Sequence, residues 1–372
     1  MGKDKTITLF LAGDVMCGRG IDQIMPSPVN PHLYEPWIKD AREYVTLAEN
    51  VNGDIPRNVE YSYIWGDALA VFEKMQPDAL IVNLETSITQ SETPWPYKGI
   101  NYRMHPDNGK FLQAAHINCC TLANNHVVDW DYAGLRDTTD VLNRAGIAHC
   151  GAGKSVDEAL APAIIETKTA RVLVFAFGFE SSGVPSQWAA SKDKSGVAFY
   201  PDMSQKTVAD LKNRILSQKK PGDIVVASVH WGENWDYTIT KKEREFAHSL
   251  TTEAGVDVFF GHSSHHVKAI EIYEGKPILY GCGDFINDYE GIKGYREYRG
   301  DLELMYFLTL NSSSGTLQKA ELVPVTMKRF RVMRLFGDDI LAVKEIVDRE
   351  SEKFGVFVEN QGGVLVVKKK RG

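Results

Sequence analysis

The chain has 372 residues, 43% of them hydrophobic, and 42 Lys plus Arg against 49 Asp plus Glu give a formal charge of −7. That balance argues against a general nucleic-acid binder, which needs a basic face, and no stretch reaches the roughly 20 apolar residues that span a bilayer. The five cysteines (Cys17, Cys119, Cys120, Cys150 and Cys282) are odd in number and contain no CxxC pair, so they form no disulfide framework and point to a reducing, cytoplasmic setting.

Short apolar, β-branched runs alternate with amphipathic stretches along the chain. Residues 6–12 predict a first strand. Residues 26–63 are polar with scattered Pro and Asn, and read as an insertion over the active face. A helix at 67–75 precedes a strand at 79–84; a helix at 109–115 precedes a strand at 118–123; a helix follows at 132–145. Further strands are expected at 171–177, 223–229, 256–260 and 277–280, with helices at 204–218 and 241–254. Alternation of this kind implies a parallel or mixed sheet covered by helices. From about residue 301 the pattern becomes a hairpin, 304–308 pairing with 319–323, then a terminal helix at 338–353. The tail Lys368, Lys369, Lys370, Arg371 reads as a solvated, frayed end. The whole chain is read as one domain with its core at about 6–290.

Polar residues of one chemical type recur where these strands end. Asp14 follows the first strand, Glu85 the second, and Asn124, Asn125 and His126 the third. His230 closes the 223–229 run, and His262 and His265 follow 256–260. Singly, each has a plain structural explanation: Asp14 a cap or turn, Glu85 a surface acid, the Asn pair a turn, His230 a core histidine. Jointly, strand tip after strand tip carries a ligand type, and ligands of open α/β sheets bind beyond the carboxyl ends of strands. Carboxylate, carboxamide and imidazole together suit Mn, Fe or Zn. Gly13 and Gly261 leave the backbone room to turn these groups inward. Arg19 and Arg103 are candidates to clamp an anionic substrate, with a surface ion pair as the even alternative. Trp231 is the aromatic residue expected to wall the pocket, and Glu233 a candidate to orient a ligand.

The stretches Ala12-Gly13-Asp14-Val15-Met16 with Gly18-Arg19, Asn83-Leu84-Glu85, Leu122-Ala123-Asn124-Asn125-His126, His230-Trp231-Gly232, Gly261-His262 through His265, and Gly283-Asp284-Phe285 resemble the CapA family of poly-γ-glutamate capsule proteins. The resemblance covers roughly residues 6–290. It implies the calcineurin-like metallophosphoesterase fold, an α/β four-layer α-β-β-α sandwich. It also implies two divalent metals on Asp14, Glu85, Asn125, His230, His262 and His265, with Glu85 bridging, and His126 and Asn124 on the catalytic side. Met16 stands where that pattern has a His, and the closing motif has one extra residue between its histidines. The function so implied is hydrolysis of a phosphoester or related anionic small molecule or polymer by a metal-activated water. Two alternatives stay open: a capsule-synthesis or export subunit without hydrolysis of its own, held at the membrane through a partner, and an amide- or peptide-type metallohydrolase.

Overall fold

The computed structural model describes residues 5–292 and 294–370; Arg371 of the basic tail therefore lies outside the described residues. In chain order the elements used below are β1 (Thr6–Val15), α1 (Arg42–Asn52), α2 (Ala68–Met75), β2 (Ala79–Leu84), β3 (Cys119–Thr121), α3 (Asp131–Ala145), β4 (Ala148–Cys150), β5 (Ala163–Glu166), β6 (Arg171–Phe179), α4 (Gln205–Gln218), β7 (Ile224–His230), α5 (Lys241–Glu253), β8 (Val258–His262), β9 (Ile270–Tyr273), β10 (Lys276–Leu279), β11 (Asp284–Ile286), β12 (Glu303–Asn311), β13 (Leu317–Met327), α6 (Asp338–Ser351), β14 (Val356–Gln361) and β15 (Val364–Lys369).

Two large sheets carry the fold. The first has ten strands in the order β14-β15-β13-β12-β1-β2-β3-β4, with β11 against β1 and a short strand, Val332–Arg334, against β13. The second has seven, running from Phe199–Tyr200 through β6, β7, β8 and β10 to β9, with β5 against β6. Within the first sheet β1, β2, β3 and β4 run parallel, and within the second so do β6, β7, β8 and β10. Parallel strands bring their carboxyl ends to one edge.

The period-2 alternation of a strand decides which layer each residue joins. In β7, Val226 belongs to the core between the sheets, whereas Val225, Ala227 and Val229 pack beneath α4 and α5 on Val208, Leu211, Phe246 and Leu250. Ser228 and His230 share the inward face with Val226, and the Ser228 hydroxyl donates to the Thr121 hydroxyl of β3 at 3.1 Å, joining the two sheets. On the far side of the first sheet, Phe10 of β1 meets Phe72 of α2 at 4.7 Å between ring centroids, edge to face. Helix, sheet, sheet and helix are thus stacked in four layers, the arrangement the resemblance implies.

The strand at residues 79–84 matches its expected limits; β1, β6 and β7 run one to three residues further at their carboxyl ends. The expected hairpin forms, with Met305 opposite Val323 and Phe307 opposite Glu321, and its first strand pairs along β1. The polar 26–63 segment contains the helix α1, whose Tyr44, Val45 and Ala48 are buried. Lys368 and Lys369 are not frayed: they close β15, where Lys368 pairs with Phe357 and Lys369 with Val356.

Phe10 is fully buried and also touches Phe285 and Phe307. Phe10→Ala is expected to lower unfolding free energy by about 3–5 kcal/mol, measured by urea denaturation of the purified protein.

Candidate metal centre

Asp14 sits where β1 bulges between Ala12 and Asp14. The bulge needs Gly13: a Cβ there would lie 1.7 Å from the Gly283 carbonyl oxygen. This close approach sets β1 beside β11, with Asp14 opposite Asp284. Asp14 is fully buried; it accepts from Asn83 Nδ2 at 2.7 Å and from the Ser263 backbone N–H at 3.2 Å. Ser263, one of the two residues between the closing histidines, holds φ 96°, a strained conformation for a residue with a side chain.

His262 Nδ1 lies 3.9 Å from Asp14 Oδ1 and 2.7 Å from His230 Nδ1. The outer nitrogens of both rings are engaged. Because the Ser228 hydroxyl spends its proton on Thr121, His262 Nε2 must donate to Ser228 Oγ, at 2.7 Å. The Thr121 hydroxyl donates onward to Asn83 Oδ1 at 3.3 Å. His230 Nε2 meets Asn125 Oδ1, an acceptor, at 3.1 Å. Both Nδ1 atoms are then left as lone pairs facing each other, an arrangement that a cation relieves.

Among the described residues two groups of donors result: Asp14 with His230 and His262, and Asp14 with His265 and Asp284; within each group the ligand atoms lie within 4.8 Å of one another. The acid common to both is Asp14, not Glu85. Glu85 stands to one side, its Oε1 3.9 Å from both His126 Nε2 and His230 Nε2.

Burial in this cluster penalises charge of either sign. It lifts Asp14 to about 6, aided by Asp284, and pushes Glu85 well above the carboxylate range, aided by Asp14. It drops His262 to about 3 and His230 well below the usual imidazole value. His265 is opposed by burial but raised by the Asp284 carboxylate, 2.8 Å from its Nδ1. Among the described residues, none of Asp14, Glu85 and Asp284 has a Lys or Arg nitrogen within 4 Å. Buried acids without such partners are the ones that fit divalent cations, and the mixed oxygen and imidazole set fits Mn, Fe or Zn.

Beside this cluster lies a buried His–Asp pair. His126 Nδ1 is 2.6 Å from Asp129 Oδ2, and burial drops the imidazole to about 4. Lys98 Nζ closes the group, 2.8 Å from Asp129 Oδ1. Asn124 is fully engaged: its Nδ2 donates to Asn83 Oδ1 and the Leu84 carbonyl, and its Oδ1 accepts from the His126 and Val127 amides.

Over residues 8–289 the chain matches the family described as bacterial capsule synthesis protein PGA_cap. The chain belongs to this family. A Mycobacterium tuberculosis relative, named as a probable polyglutamine synthesis accessory protein, is 44% identical over 359 residues, covering 96% of this chain and 94% of the relative. The PGA biosynthesis protein CapA of Bacillus subtilis is 28% identical over 293 residues, 75% and 72% of the two chains. A Staphylococcus aureus crystal structure carrying a provisional 5'-nucleotidase name aligns at TM-score 0.45 and 14% identity, over 92% of this chain and 58% of that one. A hypothetical protein of Thermus thermophilus aligns at TM-score 0.40 and 13% identity, over 88% and 96%.

In this PGA_cap protein the two expected clamp arginines are otherwise engaged. Arg19, buried with φ 47°, donates to Asp288 and, at 2.9 Å, to Glu35, and stacks 3.9 Å from the Tyr44 ring. It thereby ties the 26–63 segment to the loop after β1. Arg103 donates to the Ser91 and Asn30 carbonyls and lies 3.8 Å over Trp130. As found, Arg19 is committed to buried acids, and Arg103 to two backbone carbonyls with its Nε left without a partner. Trp231 is not a pocket wall: with His230 turned inward its neighbour must turn outward, and it packs on Phe259 and Tyr280 in the outer core. Glu233 is exposed.

Three participants were not anticipated: Asp284, Asn83 and Asp129. Asp129 follows His126 by three residues, a spacing that could have flagged it. Asp288→Asn is expected to lower stability by about 3–5 kcal/mol, since it leaves the buried Arg19 short of a carboxylate, with cation content unchanged; thermal unfolding and elemental analysis check the two halves.

Proposed function

We propose that this chain is a metal-dependent hydrolase of the capsule-synthesis family, acting on a phosphoester or related anionic substrate. Asp14, Glu85, Asn125, His230, His262 and His265 would hold two divalent cations. The reading is carried by the paired donor groups meeting at Asp14, where the strand tips of both sheets converge beside His126 and Asp129. Cations of the Mn, Fe or Zn type would supply Lewis acidity toward a phosphoryl or carbonyl oxygen and neutralise charge developing there.

The chain's own residues supply the rest. Two groups meet His126 Nδ1, Asp129 Oδ2 at 2.6 Å and Lys98 Nζ at 3.0 Å; with Lys98 turned to Asp129 Oδ1 and Asp129 taking the Nδ1 proton, Nε2 would present a lone pair toward the cluster, able to take up a proton and return it to a leaving group. Asn124 fixes the turn that carries Asn125 and His126. Lys98 balances the charge of Asp129. Asn83, bonded to Asp14, Glu85, Asn124 and Thr121, holds the acids in register.

The name of the 44%-identical relative favours a second reading, in which this chain assists polyglutamate or capsule-polymer synthesis within a complex. One set of measurements separates the two. Mn(II)-loaded protein is expected to turn over aryl phosphate mono- or diesters. His126→Ala should lower kcat about 10²–10⁴-fold with cation content retained. Equal activity in the variant removes His126 from the mechanism. Turnover of γ-glutamyl amides alone would move the reading to an amidohydrolase. No turnover of either class, with co-purification of a polymer synthase, would establish the assisting role.

A further inference from the structure

The side chain two residues after Asp14 does not face the task the family pattern gives it. Met16 is fully buried and its sulfur accepts from the Tyr289 hydroxyl at 3.4 Å. A thioether is also a soft donor, ill matched to an oxygen and imidazole site. Asp284 occupies the neighbouring ground. It lies opposite Asp14 in the parallel β1–β11 pair, and its Oδ1 is 2.8 Å from His265 Nδ1.

A buried chain continues outward from Asp284. Asn287 Nδ2 has two hydrogens and two carboxylates within reach, Asp284 Oδ2 at 3.3 Å and Glu303 Oε1 at 2.9 Å. Asn287 and Glu303 are 4% and 1% exposed, so neither charge nor hydrogen bond is made good by solvent. Glu303 Oε2 has no hydrogen-bond partner. At the inner end of this run the His265 imidazole faces Asp284, and Asp14, His265 and Asp284 together form a donor group that could hold a cation.

We infer that Asp284 replaces the missing histidine at position 16 as a ligand of the second cation, and that Asn287 and Glu303 are positioning residues that set how tightly this cation is held. The inference rests on the two-cation reading above and adds to it a named ligand and a named supporting chain. Groups of this kind behind a ligand typically alter metal affinity by 10–100-fold.

The test uses the full chain, stripped with a chelator, reloaded with Mn(II) and analysed for metal per chain and for affinity by competition with a chelating dye. Wild type is expected to hold two equivalents. Asp284→Ala should hold one, at unchanged affinity. Asn287→Ala and Glu303→Gln should keep two, one of them weakened roughly 10–100-fold, and circular dichroism should report an unchanged fold for each variant scored. Met16→His in the Asp284→Ala background should restore the second equivalent. Two equivalents in Asp284→Ala, at any affinity, overturn the inference, as do unaltered affinities in both Asn287→Ala and Glu303→Gln. A wild type that binds no metal overturns the two-cation reading itself, and the two failures are therefore distinguishable.

Discussion

Four carboxylates, Asp14, Glu85, Asp284 and Glu303, lie buried between or beside the two sheets, and among the described residues none has a Lys or Arg nitrogen within 4 Å. Leaving charges so far from water without compensation is among the least favourable things a folded chain can do. The surrounding structure answers in two ways. Amide groups, chiefly Asn83 and Asn287, are interposed between the acids as double donors. Imidazoles are brought up on the opposite side, with their outer nitrogens tied to Ser228 and Asn125 so that lone pairs point inward. What remains is rich in acids and in ligand atoms.

The sheets make this possible through register. Alternation along β7 sends Ser228 and His230 inward and Val225, Ala227 and Val229 beneath the helices, and β8 places His262 opposite His230. One sheet contributes mainly acids and amides, the other imidazoles. The Ser228 and Thr121 hydroxyls join the two sets through a continuous path of hydrogen bonds that ends at Asp14. The Arg19–Asp288–Glu35 knot works on the flank, fixing the long segment between β1 and α2 to the same loop that leaves Asp14.

Much of this is written locally in the chain. The runs at 79–84 and 171–177 are apolar enough to define strands without help from elsewhere, and Asp14, Glu85, His230 and His262 stand out because each follows such a run. Asp284 falls within a stretch that carries the family resemblance, but nothing local marks it as a site residue, because β11 is three residues long and is fixed by contact with β1, far away in sequence. For Arg19 and Arg103 the choice between clamp and ion pair stays even in the sequence for a related reason: a guanidinium in a motif looks the same whether it faces a ligand, a buried acid or backbone carbonyls. Trp231 was decidable, since an inward His230 requires an outward neighbour. The β14–β15 hairpin, turning at Gly362 and Gly363, carried a readable Gly-Gly signal but lies beyond the terminal helix, where the tail's charge suggested a loose end.

The backbone contact at Gly13 and Gly283 has a mechanical consequence. With no atom to spare between them, β1 and β11 cannot slide or part without breaking the bond from the Asp14 amide to the Gly283 carbonyl, 3.0 Å long. The floor of the centre is therefore stiff. The loops that frame it, residues 91–102 with Lys98 and residues 232–240 leading into α5, carry no such backbone-to-backbone contact at a glycine pair.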